Sequence, residues 1–327
     1  MSEGPLVLSH RQLVSGLISL IMGGDQAVSP ILGNLGYVLD GLEIPMVDPT
    51  GNRFVPDILV TRSDINLSLL IECKSGPDSV EEQQVSSYLT MQGLEVVRQG
   101  RLTVASSSSH RVDAVFFVLS AAELLVRSAV DAVLALSKMK ANGLGLIRVN
   151  QDRTSIQLDQ LSDASLSASL REGWNIRFTD LPLERLPYEP SSPDWDLAQS
   201  LLQTLKVFFL ERRSSFSVED VCRDSNGLWA YLPDQHDLLR RRVRKMIDNL
   251  RGTAFKGWFA RVAGTTDQWR FTRRSTANTN VQIAFQRREY KYITLLKEHK
   301  IPTPTDFADI DQLPLPLTTF GDDEGFR

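Results

Sequence analysis

Two short clusters in the segment VPDILVTRSDINLSLLIECKSG could do chemistry together: Pro56-Asp57, then fourteen residues, then Glu72-Cys73-Lys74. Side chains alternate faces along a strand, so Glu72 and Lys74 project together while Cys73 turns to the opposite, packed face. If Phe54 to Thr61 pairs with Leu67 to Lys74 across a turn at Ser63 to Asn66, Asp57 comes to lie beside Glu72 near the strand ends. Two carboxylates that close repel when both are ionised, unless a cation neutralises them. Mg²⁺ suits such a set, with Mn²⁺ as a substitute, because it takes oxygen ligands and keeps waters, one of which can attack a phosphodiester. Lys74 would then orient or deprotonate that water, or stabilise charge on the phosphate. The bland alternative is an exposed hairpin whose Glu72 and Lys74 form a surface pair worth ~0–1 kcal/mol. It leaves the apolar stretch Leu67 to Ile71 with nowhere to pack.

The elements that must hold these residues are legible on either side. Leu13, Leu17, Ile18 and Ile21 recur at helical spacing before Gly23-Gly24, and a second helix is predicted over Val28 to Leu39. Strands follow at Leu42 to Val47, Phe54 to Thr61 and Leu67 to Lys74, the first two joined by the turn Asp48-Pro49-Thr50-Gly51-Asn52. Glu81 to Gly93 reads as a helix, and Val112 to Ser120 as a strand covered on both faces. A helix over Ala121 to Lys140, a strand over Leu144 to Val149, a short strand at Ser155 to Leu158 and a helix at Ala164 to Arg171 complete the region. The fold class is α/β, a mixed sheet flanked by helices.

Pro-Asp followed by Glu-x-Lys on adjoining strands resembles the PD-(D/E)XK nuclease superfamily, whose fold is restriction-endonuclease-like. Gln84-Val85-Ser86-Ser87-Tyr88 is similar to the Gln-x-x-x-Tyr element that follows Glu-x-Lys in the exonuclease-like branch, and at i and i+4 the Gln84 and Tyr88 side chains share one helix face. The resemblance spans about residues 8–150. It implies Asp57 and Glu72 as metal ligands, with Lys74, Gln84 and Tyr88 completing the catalytic set. An acidic residue on the first helix often finishes the metal shell in that fold, and Asp40 and Glu43 are the candidates here.

Downstream, four prolines in LPLERLPYEPSSP make residues 182–193 the linker candidate. A helix from Asp194 to about Glu211, another starting at Ser217, a third over Asp234 to Leu250, and the hairpin Trp258 to Val262 with Gln268 to Thr272 resemble a winged helix. Ser217 and Asp220 have the offset of a capping box. From His236 to Arg274 the chain carries eleven Lys and Arg against three Asp, a local balance of +8 in a protein of net charge −4. Arg240, Arg241, Arg242, Arg244 and Lys245 on the third helix, with Arg270, Arg273 and Arg274 on the hairpin, form the candidate DNA-binding surface. A solvated helix face is the plainer reading of the same charges. Trp258 and Trp269 read as core residues more readily than as base-stacking platforms. A last helix covers Gln282 to His299, and residues 301–327, with four prolines and six acids, read as an extended acidic tail.

At 327 residues, 42% apolar and 23% charged, the chain has material for two domains with real cores: 1–181 nuclease-like, 194–300 winged-helix-like. No apolar run reaches the ~20 residues of a membrane span, and the N-terminus lacks the pattern of a secretory signal, so a cytoplasmic protein without a membrane partner is expected. Cys73 and Cys222 match neither a disulfide framework nor a metal motif, and should be reduced and packed. The expectation is a metal-dependent DNA endonuclease, of a kind found in restriction, anti-phage defence and mobile-element processing, with RNA as an alternative substrate. Cutting both strands calls for two active sites, hence a homodimer or a larger complex with a partner protein. The competing reading is a non-catalytic DNA-binding or assembly subunit that keeps the fold.

Overall fold

In β5 (Leu67–Lys74) seven of eight residues are buried, and only Lys74 at its end is partly open. A strand with two apolar faces must lie inside a sheet that is covered on both sides. The computed structural model, which describes residues 6–23, 29–76, 82–104, 109–136, 142–182, 185–272 and 279–310, puts it there. The chain divides into two units, Met1–Leu186 with Gly227–His236, and Pro187–Asn226 with Asp237–Arg327.

The first unit opens with α1 (His10–Met22), started by a capping box in which Ser9 and Gln12 satisfy each other's backbone N–H. A single helical turn, α2 (Ile31–Asn34), precedes β1 (Val38–Leu42). The predicted helix over Val28 to Leu39 is therefore cut short. Gly36, at φ +92°, takes a backbone that L side chains resist, and the apolar residues after it extend instead. β2 (Met46–Val47) and β3 (Arg53–Phe54) form a separate two-stranded hairpin, after which come β4 (Ile58–Arg62) and β5. The predicted strands at 42–47 and 54–61 thus break in two. Pro45 and Pro56, which have no N–H to give a ladder, fall at the breaks. The predicted helix at 81–93 is α3 (Glu82–Thr90), and a further short helix that was not predicted, α4 (Gly93–Gln99), follows it.

β6 (Arg111–Leu119), α5 (Ser120–Leu136), β7 (Gly143–Val149), β8 (Thr154–Asp159) and α6 (Ala164–Glu172) follow. The sheet runs β1-β4-β5-β6-β7-β8. β1, β4 and β5 form an antiparallel meander, β5 to β7 are parallel, and β8 closes antiparallel. On one face Val85, Tyr88 and Leu89 of α3 and Val126 and Val130 of α5 share a core with Leu70, Phe116 and Leu146 of the strands. α1 lies against β1 and β5. The unit is α/β, a mixed sheet flanked by helices.

The second unit holds α7 (Asp194–Leu210), β9 (Ser215–Ser217), α8 (Val218–Ser225), most of α9 (His236–Gly252), β10 (Phe259–Arg261), β11 (Gln268–Phe271) and α10 (Thr279–Lys297). Its strands pair in the order β10-β11-β9, all antiparallel. Ser217 and Asp220 make both halves of the capping box at α8. α7 has Pro193 rather than Asp194 at its cap position, with Asp194 in the first turn. Trp258 and Trp269 are buried in an aromatic core with Phe209, Phe216 and Phe285. The proline-rich stretch 182–193 carries the break between units at Leu186, yet it is packed rather than solvated: Leu186, Tyr188 and Ser192 are buried. Phe307 and Ile310, at the start of the predicted acidic tail, are buried as well, and residues 311–327 lie outside the described residues.

Candidate active site

β4 and β5 pair with Ile58 opposite Ile71, so one step further along the same register sets Asp57 opposite Glu72. Pro56 ends the ladder just before it, and the backbone carbonyl of Asp57 accepts from Glu43 N–H at 3.1 Å, which fixes the approach to β4. The Asp57 carboxylate reaches across to β5, where Oδ2 accepts from the backbone N–H of Cys73 at 2.6 Å.

Glu72 is 3% exposed and fully engaged. Its Oε1 lies 2.7 Å from Lys74 Nζ and accepts from Gln84 Nε2 at 2.9 Å, and Oε2 accepts from the Tyr88 hydroxyl. Lys74 Nζ also donates to Gln84 Oε1 at 3.5 Å, so the Gln84 amide bridges carboxylate and ammonium. All five residues that the sequence singles out for catalysis therefore meet at one end of the sheet. Cys73 is buried with its thiol beside the Asp57 carboxylate, Cys222 is buried as well, and both are free thiols. Burial, and then the negative charge of Asp57, push the Glu72 carboxyl up to about 7, against the pull of Lys74. Burial and the Glu72 charge hold the Tyr88 phenol well above its ordinary range, so it remains a donor.

α3 is held in place by the β2–β3 hairpin. Asp48, in its turn, accepts from Thr50 and Asn52 and also from Ser87 Oγ of α3 at 2.7 Å, while Gln83 Nε2 donates to Asn52 Oδ1 at 2.9 Å. Burial opposes ionisation of Asp48, but these hydrogen bonds outweigh it and hold the carboxyl down at about 2. Phe54 of β3 and Phe116 of β6 meet the Tyr88 ring edge-on, at 5.0 and 5.5 Å. At the far end of α3 Asn142 Nδ2 donates to the carbonyls of Tyr88 and Met91.

α1 itself carries no acid. Asp40 sits instead in the β1 bulge, where burial raises its carboxyl and Thr61 offers it a hydrogen bond, and Glu43 follows β1. The α1 side chain at the carboxylates is His10, whose Nε2 lies 3.2 Å from Asp57 Oδ2. Sequence reasoning missed it. Its only local mark is its place at the first position of a capped helix.

A cation fits this donor set on chemical grounds. Two hard carboxylates come from opposed positions of the strand register, each has about four acceptor positions, and the charge of Asp57 already disfavours ionisation of Glu72. Among the described residues no group of three or more His, Cys, Asp or Glu is arranged to hold a metal, so an ion here would complete its shell with water or substrate, the habit of Mg²⁺.

In the second unit the basic residues divide. Arg240 bonds Glu219 at 2.7 Å, and Arg244 holds Asp267 with two hydrogen bonds at 2.5 and 2.9 Å. Arg242 is spent on the carbonyls of Glu189, Pro190 and Ser192 and on Asp194. Arg241, Lys245 and Arg270 are exposed, although Arg241 Nε also donates to the Asp237 carbonyl. Arg273 and Arg274 lie outside the described residues.

Residues 9–167 match the family model described as the MJECL32 domain. That stretch begins at the Ser9 cap, ends in α6, and takes in the whole six-stranded sheet and the carboxylate site. No curated protein and no solved structure matches the chain. Among the described residues no helix is long and apolar enough to cross a membrane.

Proposed function

We propose that the chain is a metal-dependent DNA nuclease of the PD-(D/E)XK kind, with the second unit a winged helix that grips DNA. One observation carries the reading: Glu72, Lys74, Gln84 and Tyr88, from a strand and a helix, join in a single hydrogen-bonded cluster, and Asp57, opposite Glu72 in the strand register, bonds the Cys73 N–H beside it. Support for the fold comes from the order of elements, a helix, an antiparallel meander of β1, β4 and β5, a helical crossover and the parallel β6. For the second unit it comes from helix, strand, two helices and a hairpin, with β11 between β9 and β10.

Asp57 and Glu72 would hold Mg²⁺. When bound, the ion would neutralise charge on the phosphate and lower the pKa of a water. The residues of the chain do the rest. His10 and the Cys73 N–H fix the Asp57 carboxylate, and Tyr88 and Gln84 fix that of Glu72. Lys74, 2.7 Å from Glu72, is a charge that a phosphate oxygen can claim, moving it from the carboxylate to the developing negative charge. Arg241, Lys245 and Arg270 are the exposed cations for phosphate contacts along the duplex.

Incubation of plasmid DNA and of RNA with Mg²⁺ or Mn²⁺ tests this. Nicking by the wild type and its loss in Lys74→Ala and Glu72→Gln are expected. A second reading draws on the full engagement of Glu72 by Lys74, Gln84 and Tyr88: a closed structural cluster in a non-catalytic DNA-binding or assembly subunit. Absence of nicking with either metal, together with no metal binding by calorimetry, would favour it.

A further inference from the structure

We infer that Arg148 is a second phosphate-binding cation of the same site, taking a phosphate that flanks the one at Lys74. The ligand class, a DNA strand, rests on the nuclease reading; the placement of Arg148 does not. Register across β5, β6 and β7 sets Lys74, Val118 and Arg148 in one row. Residues in one row of a sheet share a face. The contacts agree: Glu72 meets Tyr88 of α3, Val118 packs in the same core as Tyr88, and Arg148 Nη1 donates to Glu123 Oε2 of α5 at 3.2 Å. The row lies at the carboxyl ends of parallel strands, the edge where open α/β sheets bind ligands.

Two strand spacings separate Lys74 from Arg148, about 10 Å. A DNA strand carries a charge every ~3.4 Å of helix axis, so neighbouring phosphates of one strand fall within the span of the two long side chains. Between them β6 runs straight into α5 at Ser120, which brings the positive end of that helix to the same edge.

The surroundings of Arg148 do not explain it by stability. Its side chain is 38% exposed, and an ion pair that open contributes little. Its Nε is buried with no hydrogen-bond partner among the described residues, which works against folding. A phosphate at the exposed side of the planar guanidinium would give its terminal N–H groups the forked partner they lack.

The test is titration of short fluorescent DNA, as single strand and as duplex, onto the full chain in EDTA at several salt concentrations. Arg148→Gln should weaken binding about 3- to 10-fold and lower the log–log salt slope by about 0.7–0.9, the value of one phosphate contact. Arg148→Lys should keep the slope. Glu123→Gln, which releases the guanidinium, should bind as well as the wild type or better. Arg177→Gln, which removes an exposed arginine of the same unit paired with Asp152, should change neither quantity. An unchanged slope in a folded Arg148→Gln protein, an equal loss in Glu123→Gln or Arg177→Gln, or no DNA binding by the wild type would overturn the inference. Cutting by the wild type alongside an indifferent Arg148→Gln would sink this inference and spare the nuclease reading. Binding that depends on Arg148 in a protein that never cuts would do the reverse.

Discussion

Glu72 carries the largest electrostatic burden in the site, since it is buried beside another carboxylate. Its folded value of about 7 lies above the ordinary 4.5, so the folded state holds the proton more tightly than the unfolded chain. The resulting stabilisation is complete below about 4.5 and is lost as pH rises to about 7. In EDTA the wild type should therefore lose on the order of 2 kcal/mol of stability between pH 5 and pH 8, a loss absent from Glu72→Gln; equal slopes in denaturant titrations of the two proteins would contradict this. Mg²⁺, which needs the ionised carboxylates, should raise Tm more at pH 8 than at pH 5. His10→Ala should leave stability within about 1 kcal/mol and weaken Mg²⁺ binding in calorimetry, because Asp57 loses the side chain that steadies it. Strand alternation puts Glu72 with Lys74 and helical spacing puts Gln84 with Tyr88, while only the resemblance of the Gln-x-x-x-Tyr element brought the helix pair to the strand pair. His10 was not legible in the sequence: nothing near it in the chain reveals that α1 delivers it to a carboxylate 47 positions away.

Among elements, the hairpin of β2 and β3 decides where α3 sits. Asp48→Ala removes the acceptor for Thr50, Asn52 and Ser87 and should cost about 2–4 kcal/mol. Amide exchange should quicken in α3 ahead of β6, and an α3 as protected as in the wild type would argue against the clamp. The Asp48 contribution is present above the ordinary 3.8 and lost as pH falls toward 2, the sense opposite to Glu72. In α9, Arg242→Ala takes a donor from the Pro190 and Ser192 carbonyls, while that of Glu189 keeps the Ser192 N–H, and should cost about 2–3 kcal/mol. Arg241→Ala with Lys245→Ala should leave stability within about 0.5 kcal/mol and weaken DNA binding; melting curves beside binding titrations separate the two effects. Helical periodicity found α9 but could not sort its arginines, whose partners Glu219, Asp267 and the 189–192 carbonyls lie 21 to 53 positions away. Apolar spacing misled at Val28 to Leu39, where the run suited either structure and Gly36 decided it.

At the scale of the molecule, the two-unit division could be anticipated from composition, but the path of the chain could not. Gly227–His236 belongs to the first unit although α7 and α8 of the second precede it. Trp229 and Leu232 are buried there, the Trp229 ring stacks on His236 at 3.9 Å, and Asp234 pairs with Arg101. A fragment ending at Leu186 lacks all of this and should melt below the first transition of the full chain; an equal Tm would show the excursion to be dispensable. The same threading orders events on the ribosome. With elongation at roughly 5–20 residues per second, the fifty residues from 186 to 236 take several seconds to synthesise, and for that interval the nascent first unit waits for its last segment. A chaperone that shields unfinished surfaces would find an opportunity on this protein then, before the β10–β11 hairpin of the second unit has been made.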